Sequence, residues 1–130
     1  MPLHVVRGFD PPVTSFGPGH LGVDIAVPGH TPIRSAGPGV VSFAGPVAGR
    51  GVVVVSHPDG VRTEYEPVRP LVHRGDSVQA GTALGLRAGR HPGCPVAACL
   101  HWGARRGDTY IDPLSLLAPL GRVRLLPRDP

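Results

Sequence analysis

His20 and Asp24 stand four positions apart in Gly19-His20-Leu21-Gly22-Val23-Asp24, an imidazole and a carboxylate between glycines that let the backbone come close to an ion. A second histidine sits in Cys99-Leu100-His101-Trp102. If that run is a strand, Cys99 and His101 point to one face and Leu100 and Trp102 to the other. Zinc takes nitrogen from His and oxygen from Asp at roughly 2.0–2.2 Å, and three protein ligands with one open position make a catalytic site rather than a structural one. His20, Asp24 and His101 are the expected zinc ligands. By spacing alone the competing reading is two solvated polar residues in a glycine-rich loop.

The elements that must bring these residues together read as strands. Residues 1–15 carry Val5-Val6 and Asp10-Pro11-Pro12, an extended lead-in with little room for a helix. Two short strands fit Thr31–Ala36 and Val40–Ala44, separated by Gly37-Pro38-Gly39. Val52-Val53-Val54-Val55-Ser56 is apolar on both faces, as in a central strand. The turn Pro58-Asp59-Gly60 then returns the chain as Val61–Tyr65. Asp112-Pro113 offers an N-cap acceptor followed by proline at a first helical position, so one short helix is expected at Pro113–Leu117. The expected fold is all-β: two stacked antiparallel sheets or a flattened barrel, with the metal on the open face of one sheet. The expected boundaries are 1–15 for the lead-in, 16–118 for the domain and 119–130 for a tail.

Composition narrows the partners. The chain has 130 residues, enough for one modest core. Gly 19 and Pro 17 lie between apolar runs and punctuate strands. No window reaches the roughly 18 apolar residues of a membrane span. A net charge of +4 favours polyanions, yet the arginines are scattered apart from Arg105-Arg106 and aromatic content is only 5%, which argues against nucleic acid. Of the remaining histidines, His4, His30 and His73 read as surface groups and His57 as a turn residue. His91 lies in a loop that leads to the second half-site and could fold over it.

The run from His20 to Ala26, then Thr31-Pro32-Ile33 with Gly39-Val40-Val41, resembles the lysostaphin or LytM-type zinc peptidases of bacterial cell walls. So do Val53–Val55, Gly60-Val61-Arg62-Thr63 with Tyr65, the phrase Val72 to Gly85 with Gly75-Asp76, and Leu100-His101, in the same order. The resemblance covers roughly residues 16 to 117. It implies a barrel-sandwich type β fold, zinc held by His20, Asp24 and His101, and hydrolysis of peptidoglycan peptides by a monomer. Anionic wall polymers then become the natural polyanion.

The resemblance also implies two auxiliary catalytic histidines, one at each of two positions that here hold Pro67 and Cys99. Substitutes are Glu66 and His91. Glu66 has the chemistry of a general base toward activated water, but alternation places Tyr65 and Pro67 on one face and aims Glu66 away unless a bulge turns it. Tyr65 matches a position near the substrate cleft, where its hydroxyl could stabilise an oxyanion or simply pack. Export is implied too. Met1-Pro2-Leu3-His4 opens no secretory signal, so the numbering is expected to start after a removed signal or inside a longer product. In an exported chain Cys94 and Cys99 would form a disulfide; Cys99 as a fourth metal ligand and free thiols are the alternatives. Two functions stay open: a zinc endopeptidase of reduced activity, and a zinc-holding pseudoenzyme that binds wall peptides or regulates another hydrolase. A lipoyl-like carrier role for the Gly75-Asp76 phrase fails, because the chain has no lysine.

Overall fold

Apolar residues that alternate with polar ones give strands with one face to bury, and such strands stack as sheets. The computed structural model describes residues 5–10, 22–89 and 98–116. Its strands are β1 (Val5–Arg7), β2 (Val23–Ala26), β3 (Pro32–Arg34), β4 (Gly39–Val47), β5 (Arg50–Ser56) and β6 (Val61–Glu66). They continue as β7 (Val68–Pro70), β8 (Ser77–Val78), β9 (Ala83–Arg87), β10 (Cys99–Arg106) and β11 (Thr109–Ile111). An eight-stranded sheet runs β1-β2-β10-β6-β5-β4-β8, with β11 joining β10, and a three-stranded sheet runs β3-β9-β7. Every pairing is antiparallel. The all-β expectation therefore holds.

The register decides which residues meet. Val23, Trp102, Tyr65 and Val53 lie directly opposite one another on β2, β10, β6 and β5, and all four are buried. Residues opposite each other in a ladder share a face, so this row is the floor of the core. Ile33, Leu84 and Val68 of the smaller sheet belong to the same apolar cluster. The next row out, Asp24, His101 and Glu66, therefore lies on the other face of the larger sheet.

Three expectations need adjustment. The helix after Asp112 is one turn of 3-10 helix, Pro113–Leu116. Asp112 does cap it, its Oδ1 accepting from Leu114 N at 3.0 Å, but its carbonyl accepts from Ser115 N at 2.9 Å, a tighter i to i+3 turn. Strand β5 is interior as expected, yet it buries only Val53 and Val55 fully, with Val52 and Val54 half-buried. The N-terminal lead-in supplies β1, whose Arg7 lies opposite Asp24. No helix among the described residues is long and apolar enough to cross a membrane.

His57 follows β5 at the hairpin, as expected of a turn residue, but its ring is buried. Nδ1 lies 2.8 Å from Pro38 O and Nε2 lies 2.7 Å from Thr63 Oγ1. A carbonyl only accepts, so Nδ1–H donates to Pro38 and Nε2 accepts from the Thr63 hydroxyl. The Thr63 oxygen in turn lies 2.8 Å from the Tyr65 hydroxyl, which accepts from Ala36 N–H at 2.8 Å. Every member of this chain is satisfied, and it ties β4, β5 and β6 to the segment after β3. Burial pushes the Tyr65 hydroxyl up to about 12. A phenol whose pKa is higher folded than unfolded stabilises the fold fully below pH ~10 and loses that contribution as pH rises through about 12. Unfolding in urea from pH 9 to pH 12 should therefore reveal a loss of about 2–3 kcal/mol from this residue, absent in Tyr65→Phe. The same slope in the variant would refute the assignment.

Candidate metal centre

Strand β10 does what its alternation requires: Leu100 and Trp102 are buried in the apolar cluster, and His101 points to the opposite face. Asp24 lies directly opposite on β2, fully buried. Its Oδ1 is 3.0 Å from Nδ1 of His101, whose side chain is 13% exposed. Gly22 completes the cradle. A Cβ there would stand 2.7 Å from Cε1 and Nε2 of His101 and 2.7 Å from the Trp102 carbonyl, so only glycine lets the ring lie flat against the chain.

The donor pair fits a zinc ion. Two ligands on a tetrahedral centre with bonds near 2.0–2.1 Å have their donor atoms about 3.3 Å apart, close to the separation of this nitrogen and oxygen. Gly22 packs against the Nε2 edge of the ring, which leaves Nδ1, the atom beside Asp24, as the ring nitrogen that could meet an ion. The third expected ligand, His20, lies outside the described residues, as do His91 and Cys94. Among the described residues no three His, Cys, Asp or Glu side chains converge. Cys99 is buried at the start of β10.

Two of the candidate catalytic residues, Glu66 and Tyr65, lie within the described residues. Glu66 does not point away: it lies directly opposite His101 and so shares the face of the Asp24–His101 pair. Alternation was sound, but it was anchored to the wrong neighbour, since Tyr65 belongs to the core row with Trp102. Arg50 holds Glu66, Nε to Oε2 at 2.5 Å. Tyr65 is 2% exposed and its hydroxyl is engaged by Thr63 and Ala36, so it offers no oxyanion donor. Pro67, where the resemblance places one histidine, is buried.

Beyond Glu66 on the same face lie groups that motif reading passed over. Glu64 lies opposite Gly103, and Arg105 Nε approaches Glu64 Oε2 at 3.8 Å. Burial raises the Glu64 carboxyl above its ordinary range, against the lowering pull of Arg105 and with further raising by Glu66. Arg50 could have been found from sequence as the residue that opens the strand next to β6, but its partner depends on register.

The model of Peptidase family M23 matches residues 18–113. An uncharacterized protein of Mycobacterium tuberculosis is 50% identical over 120 residues, covering 89% of this chain and 48% of that protein. The DD-carboxypeptidase/endopeptidase Mpg of Neisseria meningitidis is 32% identical over 103 residues, covering 77% of this chain and 23% of that protein. The chain thus spans about half the length, or less, of these curated relatives. The antimicrobial peptidase lysostaphin from Staphylococcus simulans superposes with a TM-score of 0.72 at 26% identity, covering 87% of this chain and 49% of that one. With the family model matched across β2 to β11, this chain belongs to peptidase family M23, the lysostaphin-like metallopeptidases among the peptidoglycan hydrolases.

Proposed function

We propose that this domain is a zinc-dependent endopeptidase that cleaves peptide cross-links of peptidoglycan in the exported, wall-facing compartment. The observation that carries the reading is the Asp24–His101 pair, a buried carboxylate and an imidazole 3.0 Å apart on the face of the larger sheet turned away from the core. Asp24 and His101, with His20, would hold the ion. Bound zinc supplies Lewis acidity toward a scissile carbonyl and activates water for attack. Glu66, anchored at Oε2 by Arg50, is the carboxylate in register with His101, and Oε1 is the atom assigned to take and return a proton. The cross-links of wall peptides are the substrate class, and the net charge of +4 favours an anionic wall around them.

The test is mass spectrometry of muropeptide dimers incubated with zinc-loaded protein. Cleavage that disappears on chelation and in His101→Ala supports the reading. Intact dimers after incubation with protein carrying one zinc per chain would overturn it. A second reading is favoured by Pro67 and Cys99, both buried where the resemblance places histidines: a metal-holding pseudoenzyme that binds wall peptides or regulates another hydrolase. It predicts retention on wall sacculi without turnover, and cleavage gained by Pro67→His combined with Cys99→His.

A further inference from the structure

Charge is divided unequally between the two sheets. The strands of the smaller sheet carry Arg34, Arg69 and Arg87 and no acidic residue. The described residues hold nine arginines against eight aspartates and glutamates, so with three cations on the smaller sheet the rest of the described structure is net acidic. On the larger sheet cations meet anions: Arg50 pairs with Glu66, and Arg105 approaches Glu64. Among the described residues no ion pair includes Arg34 or Arg69.

The three arginines also divide between the faces of that sheet. Pro32, Leu86 and Arg69 lie directly opposite one another on β3, β9 and β7, so they share a face. Pro32 and Arg69 are exposed and Leu86 is half-buried. Arg34 follows Pro32 by two residues, past buried Ile33, and is exposed on the same side. Arg87 lies opposite Val68 in the adjoining row, and both are buried, which marks the side turned to the core. Arg34 and Arg69 therefore stand on the two edge strands of the outer face. Two strand spacings and two residues of rise set their backbones about 12 Å apart. Arg34 is held in place, its Nη1 donating to Gly81 O at 3.0 Å on the surface. Between the two arginines β9 contributes Leu86 and Ala83, which carry no charge.

Exposed guanidinia with no carboxylate beside them are forks for phosphate oxygens, and two of them along one flat face suit an extended chain that carries phosphates at intervals. The strands of this sheet contain no Phe, Tyr or Trp, so the bases of a nucleic acid would find no stacking surface there. A bilayer takes up apolar side chains as well as cations. The exposed Val40, Phe43 and Val47 belong to β4 of the other sheet, and only Leu71, just beyond β7, adjoins this face. We infer that the outer face of the β3-β9-β7 sheet is a docking surface for a linear phosphodiester polymer of the cell wall, gripped by Arg34 and Arg69. That the polymer belongs to the wall rests on the wall-facing reading proposed above. The apolar core lies between this face and the one that carries Asp24 and His101, so a docked polymer leaves the candidate metal centre open to peptides.

The experiment is calorimetric titration of a synthetic poly(glycerol phosphate) decamer into the protein, with oligothymidylate of equal phosphate number and vesicles of phosphatidylglycerol and phosphatidylcholine in equal parts as the competing probes. The decamer should bind at about 50 mM salt and weaken as salt rises to about 300 mM. Arg34→Gln and Arg69→Gln should each weaken binding about 3-fold, and the double variant about 10-fold, as expected of independent exposed charge contacts. Arg62→Gln removes the same charge from the outer face of the larger sheet and should change affinity less than about 2-fold. Both arginines are exposed, so the variants should unfold in urea at the midpoint of the unaltered protein. No binding at low salt, full affinity in the double variant, or an equal loss in Arg62→Gln overturns the inference. Tighter binding to the oligothymidylate or the vesicles than to the decamer also overturns it, and makes the partner a nucleic acid or a membrane. Binding is read without metal or turnover, so this proposal and the peptidase reading fail separately. Cleavage without decamer binding removes only the docking face, whereas decamer binding without cleavage removes only the peptidase activity.

Discussion

Replacing Asp24 by asparagine should lower zinc affinity by more than about 100-fold while the β-sheet remains folded. A supporting partner of a metal-bound histidine is worth about 10–100-fold in affinity, and a group that is itself a ligand is worth more. Asp24 is fully buried and 3.0 Å from His101 Nδ1, a separation that would suit two donors to one ion in the proposed site. Asparagine keeps the shape and the hydrogen-bonding oxygen, so the fold can retain its packing, but it removes the negative charge that a divalent cation needs. Competition against a chromophoric chelator measures the affinity, and far-UV circular dichroism checks the fold. Affinity unchanged in a folded variant would mean that Asp24 only orients His101 and that the ion, if bound, sits elsewhere.

Trp102→Ala should cost about 3–5 kcal/mol, the range for truncating a large aromatic side chain in a core. Trp102 is 1% exposed, lies between Val23 and Tyr65 in the floor of the core, and directly follows His101. Domains of this size have about 5–15 kcal/mol in total, so the variant should unfold at much lower urea concentration. Trp102→Phe retains most of the apolar area and should lose less than half as much. The variant should bind zinc poorly as well, since β10 aims His101 by burying Trp102. A fall in stability under about 1 kcal/mol would mean that the indole does not fill the space between the sheets.

The sequence disclosed the parts of this site that depend on one strand at a time. Cys99-Leu100-His101-Trp102 alternates strictly, so the outward direction of His101 and the inward direction of Trp102 followed from period two alone. Glu66 was misjudged because its face depends on which residue of β10 lies opposite, and register between strands far apart in sequence leaves no mark in either strand. Arg50 and Glu66 pair across a hairpin for the same reason. His57 read as a turn residue because its backbone is one; its buried ring depends on Pro38 and Thr63, which no local pattern links to it. The helix expected after Asp112 failed over length: cap and proline were correctly placed, but one turn of chain closes as 3-10 more readily than as α. The burial of Arg87 could not be foreseen, since an arginine at a strand end usually reaches solvent.

The larger sheet ends, among the described residues, on β1 with three residues and on β8 with two. Strand rims this brief present few unpaired backbone groups to another chain, which limits edge-to-edge sticking and fibril templating.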